Sequence, residues 1–321
     1  MNIQMIEAAA TRASGITRRT PLLSAQALDA FAGRRVLVKP ECLQWTGSFK
    51  FRGAWSALTA LPDDQRAKGV IAFSSGNHAQ GVALAAQRLG VPAVILMPSD
   101  APAAKIDGTR SYGAEVVLYD RGRESREKIG AEIAAARDLT LVRPYDDPQV
   151  IAGQGTCGLE IAEQAAEQGV TEADVLVCCG GGGLTAGIAL ALEARAPGLR
   201  PRPAEPIGFD DTARSLRSGQ RETNATEAGG LCDAILTPSP GEITFPINAR
   251  LCGPGIVVTD DEVLQAMALA ARHLKVIAEP GGAAALAAAL FHGPEIEGDA
   301  VICTISGGNL DPDVLIRALA G

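Results

Sequence analysis

Short apolar runs rich in β-branched residues alternate along the chain with longer segments in which alanine and leucine recur at helical spacing. The runs predict strands at Val36–Lys39, Val70–Phe73, Ala93–Met97, Glu115–Tyr119, Leu139–Val142, Val175–Cys179, Gly255–Thr259 and Ala300–Ile305. Between them, helices are predicted at Arg52–Ala60, His78–Leu89, Ser125–Arg137, Gly158–Gln168, Leu184–Ala196, Asp261–His273 and Gly281–Phe291. Apolar strands separated by helices imply βαβ units and largely parallel sheets covered on both faces, an α/β fold. The stretch Ala196–Pro254, rich in Pro, Gly, Asn and Thr, reads as long ordered loops near a functional face. In such folds ligands gather at the carboxyl ends of strands, so those ends are where chemistry is sought.

Composition narrows the picture. The 321 residues exceed one ordinary domain, and a net charge of −8 argues against nucleic acid or an anionic membrane surface as partner. No apolar run is long enough to span a bilayer, and the amino terminus lacks the basic-then-apolar order of a secretory signal, so a soluble cytoplasmic protein is expected. His78, His273 and His292 are scattered, and the seven cysteines form no C-x-x-C, which disfavours a histidine-rich metal site, a zinc knuckle or a disulfide framework. Cys178 and Cys179 read as small buried hydrophobes. Lysine is scarce: Lys39, Lys50, Lys68, Lys105, Lys128 and Lys275 are the whole set, so lysine chemistry has few candidates.

Four strand ends suit chemistry. Cys179-Gly-Gly-Gly-Gly-Leu-Thr-Ala-Gly187 joins an apolar strand to an alanine-rich helix. Successive residues without Cβ let several N–H groups converge beside a helix N-terminus, which makes phosphate the natural guest. No Gly-Lys-Ser/Thr follows, so it is not a Walker A loop, and a dinucleotide fingerprint fits only loosely. Gln44–Ala54 sets Lys50 between Phe49 and Phe51 at a helix start. Partial desolvation there favours the free amine that a Schiff-base lysine requires, although alone it also reads as a snorkelling lysine. Lys39, Lys68, Lys105 and Lys128 read as solvated surface or helix-end lysines. Phe73–Gly81 offers the hydroxyls of Ser74 and Ser75, the Asn77 amide and helix-terminal N–H groups, suited to a carboxylate or simply to an N-cap. Ile305–Asn309 repeats the theme, with Ser306 able to hold a ring heteroatom; by itself it is only a turn.

Together and in order, T-G-S-F-K-x-R-G-A, S-S-G-N-H-x-Q-G, G-G-G-G-L and S-G-G-N resemble the pyridoxal 5′-phosphate enzymes of fold type II. This is the tryptophan-synthase-β type, in its serine/threonine dehydratase and serine racemase branch, and the match covers essentially the whole chain. The resemblance implies a Schiff base on Lys50, Phe49 against the pyridine ring and Asn77 on the ring 3′-oxygen. It also implies Gly180, Gly181, Gly182, Gly183 and Leu184 around the phosphate, and Ser306 at the ring nitrogen. Two domains with mostly parallel twisted sheets flanked by helices would follow: a large one from 1–67 and 144–321, and a small mobile one from 68–143. Closure of the small domain would bring Ser75 and Asn77 over the cofactor and exclude water.

A serine hydroxyl at the ring nitrogen leaves the ring a weaker electron sink than an aspartate would, which suits β-elimination of water from a 3-hydroxy amino acid. Lys50 would remove the Cα proton, and the products would be a 2-oxo acid and ammonia. Ser75 matches the opposite-face acid/base of the racemases, so an amino-acid racemase is the alternative within the family. From another class, a nucleotide-binding oxidoreductase or a binding protein could use the glycine loop alone. Ser74, Ser75, Asn77 and His78 are expected around the substrate α-carboxylate. Arg126 matches a racemase arginine near the substrate side chain, and Arg123 is close in sequence. If either points inward, 3-hydroxyaspartate becomes a candidate beside serine and threonine.

The resemblance also implies a site for Mg²⁺, or equally Ca²⁺ or Mn²⁺, from Glu205, the Phe209 carbonyl and Asp211. Pro201-Arg-Pro-Ala204, just before it, departs from the apolar strand expected there, because proline removes ladder donors. Trp45 is a second departure, bulky where the loop usually carries a smaller residue. Glu279-Pro-Gly-Gly matches a further family motif without an assigned role. The chain ends soon after Asn309, so no regulatory domain is expected, and a homodimer is what the family implies.

Overall fold

The computed structural model describes residues 1–101, 103–226 and 229–321. The strands are β1 (Arg35–Pro40), β2 (Val70–Phe73), β3 (Ala93–Pro98), β4 (Glu115–Tyr119), β5 (Thr140–Leu141), β6 (Ala173–Cys178), β7 (Leu199–Pro206), β8 (Ile256–Val258) and β9 (Ala300–Ile305). The first helices are α1 (Ile3–Ala13), α2 (Gln26–Ala32), α3 (Lys50–Ala60), α4 (Asp63–Lys68), α5 (Asn77–Leu89), α6 (Ala103–Ser111) and α7 (Arg126–Arg137). They continue as α8 (Pro148–Glu167), α9 (Gly183–Arg195), α10 (Asp211–Ser218), α11 (Thr244–Leu251), α12 (Asp260–Leu269), α13 (Pro280–Phe291) and α14 (Pro312–Ala320).

Two parallel sheets result, in the orders β1-β9-β6-β7-β8 and β4-β3-β2-β5. The chain builds the second sheet between β1 and β6, so the five-stranded sheet draws its strands from both sides of that insertion. β6 and β9 are buried at every position, as the centre of a sheet covered on both faces requires. Among the described residues no helix is long and apolar enough to cross a membrane.

Four expectations change. β7 is a strand despite Pro201 and Pro203, and a phase rule explains how. Ala204 accepts from the Cys179 amide on the β6 side, whereas Pro201 accepts from Gly253 on the β8 side. Amide directions alternate along a strand, so Pro201 and Pro203 lack their N–H only toward β8, which begins its pairing at Ala204. Pro206 faces the β6 side, but lies beyond the last β6 pair, Cys178 with Ala204.

Helix α8 starts ten residues before its predicted start, at Pro148, with Asp147 accepting from the Gln149 and Val150 amides as N-cap. Its glycines are contact points rather than breaks. A Cβ on Gly153 would stand 2.3 Å from the Arg52 carbonyl of α3, and one on Gly158 2.8 Å from Ile188 Cα of α9. The stretch 196–254, expected as loops, contains β7, α10 and α11.

Lys39, expected at the surface, is buried. Its Nζ donates to the Thr20 carbonyl at 2.7 Å, Glu160 Oε2 at 2.6 Å and Gln164 Oε1 at 2.9 Å. Arg52 joins the same cluster, bonding Glu41 through Nε at 2.6 Å and Glu160 through Nη1 at 2.6 Å. Arg52 lies two residues after Lys50, so this network anchors the first turn of α3 to the turn after β1 and to α8.

Candidate active site

The ends of β2, β6 and β9 and the start of α3 surround one cavity of about 220 Å³. Its walls include Phe49, Lys50, Ser74, Ser75, Asn77 and His78. They also include the glycine run Gly180–Gly183 with Leu184, and Ser306. Every cofactor residue expected from the sequence therefore lines this one space.

Lys50 Nζ donates to the Pro144 carbonyl at 2.9 Å and lies 5.0 Å from the Phe49 ring centroid. Burial pulls its ammonium down to about 8, partly offset by the charge of Glu279. The lysine thus has a larger amine fraction near neutral pH than an exposed lysine would. The strand-like entry of this segment is fixed against β9: Phe49 N–H donates to the Ser306 carbonyl at 3.1 Å, and Ser48 bridges Gly307.

The glycine run turns its carbonyls outward. Thr244 Oγ1 and the Gly241 amide bond the Gly181 carbonyl, and Ala186 N–H bonds that of Gly182. Gly182 adopts φ +86°, where a side chain is strained. A Cβ on Gly181 would stand 2.3 Å from the Tyr145 ring, and one on Gly183 2.6 Å from Gln154 Oε1. In the first turn of α9, Thr185 Oγ1 is buried without a hydrogen-bond partner among the described residues. A cradle closed to side chains, with an unused hydroxyl at a helix N-terminus, fits a phosphate.

Asn77 is fixed at both ends of its amide. Nδ2 donates to Glu279 Oε1 at 2.6 Å, and Oδ1 accepts from Asn309 Nδ2 at 2.7 Å. Burial raises the Glu279 carboxyl to about 8. His78 is buried with Nε2 2.9 Å from the Val142 carbonyl, and burial with the nearby Lys50 charge pushes it down to about 3. It is a neutral donor to that carbonyl, so the α5 N-terminus keeps its amide field without an added cation.

Arg126 is elsewhere. It lines a neighbouring cavity that shares Pro144, Tyr145 and Thr237 with this one, and bonds Glu127 at 2.7 Å. Arg123 is exposed beside Asp120. Lys105, expected as a surface lysine, instead lines the main cavity with Asp233, at 3.2 Å from it. Asp233, Tyr145, Gln154 and Thr244 have no local motif to mark them; only Glu279, within Glu-Pro-Gly-Gly, carried a signal.

Between the end of β7 and the start of α10, Glu205 and Asp211 are both buried. Glu205 accepts from Thr212 N–H at 3.0 Å and Ala213 N–H at 2.7 Å. Asn224 Nδ2 donates to Asp211 Oδ1 at 2.6 Å, while Oδ2 is buried without a partner among the described residues. Burial and the adjacent Asp211 push Glu205 far up, and burial raises Asp211 to about 6. Two crowded carboxylates with an unused oxygen fit a hard divalent cation. All seven cysteines are free thiols, with Cys178 and Cys179 buried.

Comparison with known proteins agrees with this geometry. The family model described as pyridoxal-phosphate dependent enzyme matches residues 13–308. An L-threo-3-hydroxyaspartate ammonia-lyase of Pseudomonas sp is 42% identical over 98% of this chain and 97% of its own. A serine racemase of Oryza sativa subsp. indica is 39% identical over 99% of this chain and 94% of its own. Among solved structures, a threonine deaminase from T.th. superposes with a TM-score of 0.91 at 43% identity, covering 97% of this chain and 99% of its own.

Proposed function

The chain belongs to the pyridoxal-phosphate dependent enzymes of fold type II, and within them we propose an ammonia-lyase that eliminates water from a 3-hydroxy amino acid of the hydroxyaspartate type. The observation that carries this reading is the Lys50 amine, pulled down to about 8 inside a cavity that also holds a phosphate cradle and a helix N-terminus. Pyridoxal phosphate would supply an electrophilic carbonyl and a sink for the electron pair released at Cα. Lys50 would hold that carbonyl and then take the Cα proton. Gly180, Gly181, Gly182, Gly183 and Leu184 would take the phosphate, with Thr185 donating to it. Phe49 would pack on the ring, Asn77 would bond its 3′-oxygen, and Ser306 would face its nitrogen.

For the substrate, the α5 N-terminus with Ser74, Ser75, Asn77 and His78 would receive the α-carboxylate. Loss of the 3-hydroxyl and hydrolysis of the resulting enamine–imine would give oxaloacetate and ammonia from 3-hydroxyaspartate. The unit 68–143 would close over the cavity and exclude water. The identity to an L-threo-3-hydroxyaspartate ammonia-lyase supports the substrate class.

A racemase is the second reading, favoured by Ser75 in the cavity wall and by the 39% identity to a serine racemase. Ser75 would then return a proton to the opposite face of Cα. Glu205, Asp211 and the Phe209 carbonyl would bind Mg²⁺, Ca²⁺ or Mn²⁺ and steady the start of α10. Free thiols throughout suit a reducing, cytoplasmic setting, and exposed Ile316 and Leu319 on α14 suit a homodimer contact.

Ammonia, 2-oxo acid and the D-amino acid are to be measured together with L-threo-3-hydroxyaspartate, L-threonine and L-serine as substrates. Equal release of ammonia and 2-oxo acid, fastest from 3-hydroxyaspartate, is expected. Accumulation of the D-isomer ahead of ammonia would favour the racemase.

A further inference from the structure

Among the described residues, four ordinarily charged side chains line the cavity besides His78: Lys50, Lys105, Asp233 and Glu279. Lys50 faces the Pro144 carbonyl at the cofactor position, and Glu279 is buried against Asn77. This leaves one ion pair of the described residues facing the space, Lys105 Nζ to Asp233 Oδ2 at 3.2 Å. Lys105 comes from α6, beside the four-stranded sheet, and Asp233 from the segment before α11, 128 residues later. The lysine side chain is 22% exposed and the aspartate 61%. The cation is therefore the sheltered member of the pair and the carboxylate the wet one.

An ammonium has three donors, and Asp233 occupies one at the long end of the hydrogen-bond range. A second carboxylate entering the cavity would meet a partly desolvated cation already presented to an anion of its own kind. Threonine and serine carry one carboxylate, which the α5 N-terminus would take. A 3-hydroxyaspartate carries another, and the guanidinium of Arg126 is directed to Glu127 in the neighbouring cavity.

Resting on the ammonia-lyase reading, we propose that Lys105 is the specificity-determining residue that recognises the distal carboxylate of a dicarboxylic 3-hydroxy amino acid. Asp233 holds the ammonium in place until that carboxylate arrives and shares or yields it. Asp233 also repels the incoming anion, so the pair sets a threshold that monocarboxylic substrates never use.

The test compares the holoenzyme with Lys105→Met, Lys105→Arg and Asp233→Asn. The first readout is the ratio of kcat/KM for L-threo-3-hydroxyaspartate over L-threonine. The second is the binding of succinate and butyrate, followed by the change each produces in cofactor absorbance. We expect the ratio to fall at least tenfold in Lys105→Met, to recover partly in Lys105→Arg and to rise in Asp233→Asn. Succinate should lose its advantage over butyrate only in Lys105→Met. An unchanged ratio in Lys105→Met, with a wild type that prefers 3-hydroxyaspartate, would overturn the lysine's role and leave the ammonia-lyase reading intact. An equal fall in both Lys105→Met and Asp233→Asn would reduce the pair to a structural clasp and also overturn it. A wild type that eliminates water from none of these substrates would overturn the ammonia-lyase reading itself.

Discussion

Asn77 and Glu279 meet through a 2.6 Å hydrogen bond that spans 202 residues of sequence, and it sets which face of the Asn77 amide looks into the cavity. Because burial lifts the Glu279 carboxyl to about 8, it enters the folded protein largely protonated. A folded-state pKa above the unfolded value contributes stability that is complete below about 4.5 and is lost as pH rises through about 8. Denaturant melts of the apoprotein should therefore weaken between pH 5 and 9 by on the order of a few kcal/mol. Glu279→Gln should flatten that slope and exceed the wild type at the alkaline end. A slope unchanged by the substitution would remove Glu279 as its source.

Gly181→Ala places a methyl group where the Tyr145 ring stands, 2.3 Å away. Either the ring or the cradle must shift. Cofactor affinity, read by titrating the apoprotein with pyridoxal phosphate, should fall at least tenfold, about 1.4 kcal/mol. Adding Tyr145→Ala should recover part of the loss. No recovery would mean that the glycine serves backbone conformation rather than clearance.

Arg52 lies between Glu41 and Glu160 with its side chain fully buried. Arg52→Met would strand the buried Glu41 carboxylate, while Glu160 keeps Lys39, and should cost about 3–5 kcal/mol in urea unfolding. Arg52→Lys keeps the charge and loses the two-pronged geometry, so a smaller loss is expected.

The proposed cation at Glu205 and Asp211 predicts that Mg²⁺ raises Tm in the wild type and that a chelator reverses it. In Asp211→Asn the added ion should have little effect, because the unused Oδ2 is gone. Equal shifts in both proteins would locate the ion elsewhere.

Much of the fold was legible because the parallel strands read as short apolar runs, and eight of the nine strands among the described residues were placed that way. β7 was obscured by Pro201 and Pro203, since composition does not reveal which neighbour an amide faces. The first ten residues of α8 were hidden because its glycines resemble turn signals, whereas they make room for α3 and α9. At the site, the four strand-end motifs carried their chemistry locally: small residues, a glycine run and a lysine between phenylalanines. Lys105 and Asp233 carried no such mark. Their pairing arises only when α6 is brought over the segment before α11, a tertiary relationship without local pattern. Lys39 was misread for the same reason, as its acidic partner Glu160 is 121 residues away.

One measurement reaches the centre of this reading: borohydride reduction of the holoenzyme, followed by peptide mass mapping. The purified protein should be yellow, lose its visible absorbance on reduction, and carry one pyridoxyl group on Lys50. Lys50→Ala should keep its fold and take up no reducible cofactor. A pyridoxyl group on another lysine, or a folded wild type that binds no pyridoxal phosphate, would contradict the assignment of this cavity as the active site.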